Sequence, residues 1–384
     1  MDTVLYELKD YKRTGKLSEA DMEKLAQAAG ILRRGGLVAF PTETVYGLGG
    51  NAIMKDASRR IYEAKGRPSD NPLIVHITDF DEISPLVSSY GDMAEKLSKA
   101  FWPGPFTLIL PKSETVPKET TGGLDTVALR MPSHPVARAL IKLAGVPIAA
   151  PSANTSGRPS TTTAAHCMED LSGKVEAVVD GGSCDIGLES TIVDASGEAP
   201  MLLRPGAVTR EMLKAVLGFE IPVDPAVEKP LENNEHPKAP GMKYRHYAPK
   251  APMVIVEGDG EAEVAERMLE ISDRKAEEGL KVGIIASGES CSLIIKELAR
   301  REASFMTTEL KGPALLYHAK GRVIIDLGGS TEETAWAHEL FSALRIMDEE
   351  KADYIVAEGV AEDDIGFAVM NRLKKAAGGN VERI

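Results

Sequence analysis

Pro41-Thr42-Glu43-Thr44-Val45-Tyr46-Gly47-Leu48-Gly49 follows the apolar run Leu37-Val38-Ala39-Phe40. The run reads as a strand, and two hydroxyls, a carboxylate and an aromatic ring stand where it should end. In open α/β sheets, ligands bind beyond the carboxyl ends of strands, and glycine lets backbone approach a ligand closely. The stretch therefore reads as a binding loop or as a turn with a few exposed polar residues. Three further apolar runs follow the same grammar. Leu73-Ile74-Val75-His76-Ile77 holds one histidine and is preceded by the basic Lys65-Gly66-Arg67-Pro68. Thr126-Val127-Ala128-Leu129-Arg130-Met131 ends in an arginine, and Pro147-Ile148-Ala149-Ala150 runs into Pro151-Ser152-Ala153-Asn154. Four strand ends with four kinds of polar group imply one convergent pocket.

The elements around these runs alternate. Ser18 and Asp21 form a capping-box-like start, and Met22, Leu25, Ala26 and Ala29 make an apolar stripe at helical spacing, stopped by Gly35-Gly36. A short helix opens at Asp56 and bears Ile61. Helices near 91–101, 136–144 and Thr161–Leu171 alternate with strands at 73–77, 106–110, 126–131, 147–150, 175–179, 191–193 and 202–204. Such alternation with short connections argues for an α/β or α+β sheet domain over residues 1–218. Residues 219–251 carry several prolines and read as a linker. The end of the linker, Ala239-Pro240-Gly241-Met242-Lys243-Tyr244-Arg245-His246-Tyr247, is richer in aromatic and basic groups than a passive linker needs. It reads as a segment packed at a domain boundary or as a lid. From residue 252 a second α/β unit begins, with strands at 253–256, 281–286, 323–328 and 354–357 and helices near 292–302, 332–350 and 362–377. This is a small Rossmann-like pattern. Its first strand is followed by Glu257-Gly258-Asp259-Gly260 and further acids instead of G-x-G-x-x-G, so no dinucleotide is expected there.

Composition narrows the function. At 384 residues the chain suits two domains. Of its net charge of −13, residues 252–384 carry −10 and residues 1–251 only −3. An acidic C-terminal part speaks against a nucleic-acid footprint there. The near-neutral N-terminal part concentrates its cations in the motifs, which suits a small anionic ligand such as a nucleotide. No apolar run of 18 residues suggests a membrane span, and the first residues lack the basic start and apolar core of a signal peptide. Cys167, Cys184 and Cys291 fit neither a zinc pattern nor a disulfide framework, so a reducing cytoplasm is the expected compartment.

No G-x-x-x-x-G-K-[ST] occurs, so a nucleotide must be held by side chains. Arg67 suits bidentate phosphate binding and Lys65 a mobile point charge, while Ser152 and Asn154 add neutral donors. The ordered set PTETVYGLG, KGRPSDNPLIVHI, FWPGPFTLIL, VALRMPSHP, PSANTSGRPS, ESTIVD and LLRPGAVT resembles the YrdC-type threonylcarbamoyl-AMP synthases across residues 18–215. Lys243–Pro249 and the domain after it resemble that family's long, two-domain form. The resemblance implies a twisted, partly mixed sheet with a concave active-site face, followed by a smaller Rossmann-like domain. It implies synthesis of L-threonylcarbamoyl-AMP from L-threonine, bicarbonate or CO2, and ATP with magnesium, releasing pyrophosphate. The product would pass to the machinery that transfers threonylcarbamoyl to tRNA, with neither a membrane nor stable nucleic-acid binding involved. Residue by residue, Lys65, Arg67, Ser152 and Asn154 match the family's shared catalytic core. Thr44, His76, Arg130 and Ser190 match threonine contacts. Arg67, Asn71, Thr126, Ala150, Ser152, Ser160, Arg204 and Tyr247 match ATP contacts, with Ala150 acting through its backbone. His246 would support the lid, and no side chain is assigned to a metal.

Each candidate also has an ordinary role. His76 suits a hydrogen-bonded core histidine, Arg130 a structural ion pair, Ser190-Thr191 plain strand polarity, Lys65 and Arg67 solvated charge, and His134 a helix cap. A binding module for RNA or a nucleotide, without synthase activity, is the alternative function. The overall acidity and the lack of an aromatic-basic stripe weigh against it. A related carbamoyl-adenylate enzyme of hydrogenase maturation should add an acylphosphatase-like part and cysteine-rich zinc fingers, and this sequence has neither.

Overall fold

The computed structural model describes residues 2–229, 236–243, 247–301, 307–311, 314–329 and 333–384. The Ser18 hydroxyl accepts the Asp21 amide at 3.2 Å and the Asp21 carboxylate accepts the Ser18 amide at 3.4 Å, which opens the helix Glu19–Arg33. The predicted helix at Thr161 starts at Ala164 instead, because the Thr163 side chain caps it by accepting the His166 amide. The chain divides into two compact units, Met1–Ser156 with Ser160–Tyr244, and Gly157–Pro159 with Arg245–Ile384. No helix among the described residues is long and apolar enough to cross a membrane.

The first unit is built on a sheet of ten strands among the described residues. They are β1 (Val4–Glu7), β2 (Val38–Phe40), β3 (Gly47–Asn51), β4 (Ile74–His76), β5 (Phe106–Pro111), β6 (Thr126–Arg130), β7 (Ile148–Ala149), β8 (Ala177–Asp180), β9 (Thr191–Asp194) and β10 (Met201–Arg204). Their order is β1-β8-β2-β3-β7-β4-β6-β5-β9-β10. The pairs β1–β8, β8–β2, β4–β6 and β5–β9 are parallel and the others antiparallel, so the sheet is mixed, as expected.

Register decides where the site lies. His76 pairs with Ile148 on one side and Arg130 on the other, Arg130 with Thr107, and Thr107 with Ile192. Partners in register point to the same face, so Ile148, His76, Arg130, Thr107 and Ile192 form one row. Towards β7, this face is covered by helices Glu19–Arg33 and Pro135–Ala144, whose Leu25, Leu32, Leu140 and Ile141 pack on Phe40, Ile148 and Ala150. Across β4, β6 and β5 the neighbouring row is apolar: Ile74, Ala128 and Ile109. That row is closed by Ala226 of a short 3-10 turn and by Ala239 and Met242. One half of the face thus has helices above it, and the other half has an irregular segment beside a polar row.

Gly47 and Gly49 differ from expectation. A Cβ on Gly49 would stand 2.8 Å from Phe40 Cε1 and 2.9 Å from Ile148 Cγ2, and one on Gly47 would stand 3.2 Å from the Ala150 Cβ. The space beside these glycines belongs to core side chains crossing the strand, not to a ligand. The same glycines hid β3, since an apolar alternation was missing. Gly49→Ala is therefore expected to lower stability by about 1–3 kcal/mol through overpacking, read from the urea midpoint. An unchanged midpoint would contradict this packing.

The second unit holds β11 (Met253–Glu257), β12 (Val282–Ala286), β13 (Thr307–Lys311), β14 (Ala314–Ala319), β15 (Arg322–Asp326), β16 (Tyr354–Glu358) and β17 (Val381–Arg383). The order is β13-β14-β15-β12-β16-β11-β17. Strands β15 to β17 in that order run parallel, and β13 and β14 join as antiparallel edge strands. The α/β pattern expected from residue 252 is present, with an edge hairpin and a final strand in addition. At the helix Gly288–Arg301, the Glu358 carboxylate accepts the Ser287 amide at 2.7 Å and the Ser290 hydroxyl at 2.9 Å. A helix N-terminus of this kind is where many doubly wound folds hold phosphate, and here the chain's own carboxylate stands there.

Candidate active site

Residues 41–49 are buried throughout, so the reading of this stretch as an exposed turn does not hold. The loop is tied from within and without. The Thr42 hydroxyl accepts the Thr44 and Val45 amides at 3.2 and 3.3 Å, donates to the Val45 carbonyl at 2.6 Å, and lies 2.8 Å from the Thr44 hydroxyl. The Glu43 and Thr44 carbonyls accept the Ile186 and Gly187 amides at 2.8 and 3.0 Å.

Glu43 is the residue that the motif reading missed. Its carboxylate accepts Arg130 Nη2 at 2.8 Å with one oxygen and the Ser133 and His134 amides at 3.2 and 3.4 Å with the other. Both side chains of this ion pair are 5% exposed. Burial pushes the Glu43 carboxyl upward, but the Arg130 guanidinium and the backbone amides outweigh it and hold the group below the usual carboxylate range. Those amides open the helix Pro135–Ala144, whose N-terminal dipole also favours an anion. Arg130 does form an ion pair, yet its buried Nε has no hydrogen-bond partner among the described residues.

His76 stands beside Arg130 in register. Its Nδ1 lies 3.1 Å from the Ile74 carbonyl, which can only accept, so Nδ1 carries the hydrogen. Burial and then the Arg130 charge lower its pKa to about 3, so the imidazole is neutral at physiological pH. Its ring meets Phe40 edge-on at 6.4 Å. It is a hydrogen-bonded core histidine, and it also lies in the polar row.

Ser190 closes the row. Its hydroxyl lies 2.8 Å from the Thr107 hydroxyl and accepts Arg204 Nη2 at 3.1 Å, while Arg204 Nε donates to its carbonyl at 3.0 Å. A register shift between Leu202 and Arg204 aims that arginine back at Ser190, and Arg204 Nη1 reaches the Pro240 carbonyl at 3.4 Å. Thr107 was missed, although it is the polar position in the otherwise apolar strand FTLIL.

The basic motif is arranged differently from the expectation. The helix Lys55–Lys65 ends at Gly66 in the left-handed region, φ 61°. Lys65 is 1% exposed, and its ammonium donates to the Ser152 carbonyl at 2.5 Å and to the Asn154 carbonyl. It is anchored on the 152–154 loop and is not a mobile point charge. Arg67 is likewise buried, giving Nε to the Asn71 carbonyl at 3.4 Å and Nη2 to the Pro72 carbonyl at 3.2 Å. Asn71 Oδ1 is buried with no partner among the described residues. The Ser152 hydroxyl donates to Asn154 Oδ1 at 2.5 Å, and Asn154 Nδ2 to the Thr155 carbonyl at 2.8 Å. The Pro151 carbonyl accepts the Leu48 amide and the Tyr46 carbonyl accepts the Ala153 amide, both at 2.8 Å, so the 41–49 and 151–154 loops are stitched together.

Of the other candidates, Thr126 lies on β6 at the spacing that shares a face with Ala128 and Arg130. The Ala150 amide already serves the Ile74 carbonyl at 2.8 Å. The Ser160 hydroxyl donates to Glu189 Oε1 at 2.5 Å. Tyr247 belongs to the second unit, where it stacks on Phe341 at 5.0 Å, and His246 lies outside the described residues. His134 occupies the N-cap position, but its side chain makes no capping bond.

Residues 30–206 match the family model described as "Telomere recombination", named for Sua5, YciO and YrdC. Residues 208–378 match the model of the threonylcarbamoyl-AMP synthase C-terminal domain. The threonylcarbamoyl-AMP synthase of Pyrococcus abyssi is 48% identical over 361 residues, covering 94% of this chain and 96% of its own. The chain belongs to the threonylcarbamoyl-AMP synthase family. The Bacillus subtilis synthase is 44% identical over 371 residues, with 96% and 97% coverage. The crystal structure of P. abyssi Sua5 complexed with L-threonine superposes with a TM-score of 0.84 at 45% identity and covers both chains completely. As a threonylcarbamoyl-AMP synthase family member the chain is an enzyme, a transferase of tRNA processing and threonylcarbamoyladenosine biosynthesis.

The two central titrating groups shift stability with pH in the same direction. Glu43, held low in the fold, contributes stability above the ordinary carboxylate pKa of about 4.3, and this is lost as the pH falls through its folded value. His76 titrates near 3 when folded and near 6.5 when unfolded. Unfolding therefore takes up a proton below about pH 6.5, and stability declines from there towards pH 3. The urea midpoint should fall between pH 7 and pH 5, and the slope over that window should flatten in His76→Asn. An equal slope in both proteins would contradict the neutral buried imidazole.

Proposed function

We propose that this chain condenses L-threonine, bicarbonate or CO2, and ATP into L-threonylcarbamoyl-AMP and pyrophosphate, as the activated donor for tRNA threonylcarbamoyladenosine. The observation that carries the reading is the Arg130 guanidinium: one nitrogen is pinned on Glu43 and the buried Nε has no partner among the described residues. A fixed guanidinium with a donor to spare suits the carboxylate of an amino acid. Neutral His76 adds no second charge beside the substrate amine, and Thr44 and Ser190 offer hydroxyls for its side chain. That the P. abyssi relative was crystallised with L-threonine supports this assignment.

The chemistry follows from positioning. Threonine's amine takes up CO2, losing a proton to give a carbamate. The new carboxylate oxygen attacks the α-phosphorus of ATP, the bond to the β-phosphate bridge oxygen breaks, and pyrophosphate leaves. Most of the acceleration would come from alignment and from fixed donors around the charge that develops. Lys65 serves this by holding the 152–154 loop, and Arg67, Asn71, Thr126, Ser160 and Arg204 would frame the nucleotide. Magnesium prefers phosphate oxygens and water to a protein cage. It would enter on the triphosphate of ATP. The mixed anhydride needs shelter from water. The segment at Ala239–Met242, packed on the apolar row and tied through Pro240 to Arg204, suits the fixed end of a lid. The buried cysteines Cys167, Cys184 and Cys291 suit the cytoplasm.

Pyrophosphate release from ATP and magnesium tests the reading. It should require both threonine and bicarbonate, and serine or valine should not replace threonine. Arg130→Ala should weaken threonine binding by roughly tenfold or more, the loss of a charged hydrogen bond, with ATP affinity retained. Release without threonine, or equal loss of both ligands in the variant, would overturn the assignment.

A further inference from the structure

A cleft in the first unit, of about 690 Å³, lies between the helix Pro135–Ala144 and the segment 78–86. It shares no residue with the site described above. Its volume is within the range of about 300–1,000 Å³ typical of small-molecule sites. Leu86 and Ile141 are buried in its lining, and Ile53, a large apolar residue left 40% exposed, adds to the apolar wall.

Four charged side chains line the cleft: Asp79 and Glu82 on one wall, and Arg138 and Lys142, one helical turn apart, on the other. The acids are already in use. Glu82 accepts the Thr78 hydroxyl at 2.7 Å and the Thr78 amide at 3.5 Å, and Asp79 accepts the Asp81 amide at 3.1 Å. The cations are not. Neither Arg138 nor Lys142 makes an ion pair among the described residues, and Arg138 Nη1 is buried with no hydrogen-bond partner among them. Arg138 and Lys142 are therefore the charges in the lining left without an ion-pair partner among the described residues, and cations so placed favour an anion. The apolar lining asks for a hydrocarbon body on that anion. The neighbouring Asp79 and Glu82 carboxylates disfavour a doubly charged phosphate more than a single negative charge. A guanidinium presents the fork that a carboxylate fits, and a lysine on the next turn reinforces it.

We infer that this cleft is a binding site for a small organic monocarboxylate, seated on Arg138 and Lys142 with its apolar part against Leu86, Ile141 and Ile53. The site does not depend on the proposed reaction and stands or falls separately from it.

Fluorine NMR titration of the full chain with 4-(trifluoromethyl)benzoate, in saturating L-threonine and magnesium-ATP analogue to occupy the other site, tests the inference. The benzoate should bind saturably and at least tenfold more tightly than the neutral 4-(trifluoromethyl)benzamide. Arg138→Met and Lys142→Gln should each weaken the benzoate several-fold and leave the amide unchanged. Lys142 is exposed, so its variant reports on the site even if the arginine change disturbs folding. Equal binding of benzoate and amide, no saturable benzoate binding, or benzoate affinity unmoved by Lys142→Gln would each overturn the site.

Discussion

The ion pair between Glu43 and Arg130 is the constraint on which the rest of the first unit depends. Two charges taken out of water are tolerated only when geometry and further hydrogen bonds satisfy them. Here one carboxylate oxygen faces the guanidinium and the other faces two amides at a helix start. The pair therefore joins the loop after β2 to the end of β6 and the helix Pro135–Ala144 that follows it, 87 to 91 positions further along the chain. It also leaves Arg130 with a fixed direction and an unused donor. A guanidinium free to rotate would bind a substrate carboxylate only after losing that freedom, so pinning it in advance favours binding.

Sheet register turns that local pin into a site. Because His76, Arg130 and Thr107 are in register across three neighbouring strands, their side chains share one face without any loop having to bring them together. The same face is apolar one row away, where Ala239 and Met242 close it. A polar row bordered by a dry row suits an enzyme that must bind a charged substrate and then protect a reactive anhydride. The glycines of β3 belong to the same logic, since they leave room for Phe40 and Ile148 to cross the strand and so keep His76 against an aromatic wall.

Much of this was legible in the sequence, and the limits have physical reasons. The Ser18–Asp21 capping box, the strands ending at His76 and Arg130, and the α/β pattern after residue 252 are local signals, and the structure carries them. Strand β3 was not legible because Gly47, Gly49 and Gly50 erase the alternation that marks a strand. The role of Lys65 was not legible because its partners are the Ser152 and Asn154 carbonyls, and backbone acceptors leave no trace in residue identity. Glu43 was in view as part of the opening motif, but its partner is 87 positions away, and only the register of β6 brings the two together. The β13–β14 hairpin lies at a sheet edge, where exposed side chains relax the apolar pattern that reveals buried strands.

A double-mutant cycle on Glu43→Gln and Arg130→Gln, read by urea unfolding at pH 7, measures the central interaction most directly. A pin of this kind predicts that the two losses are strongly non-additive, with a coupling of about 2 kcal/mol or more, at the upper part of the range for residues in contact. Losses that add to within about 0.5 kcal/mol, as for independent sites, would contradict it.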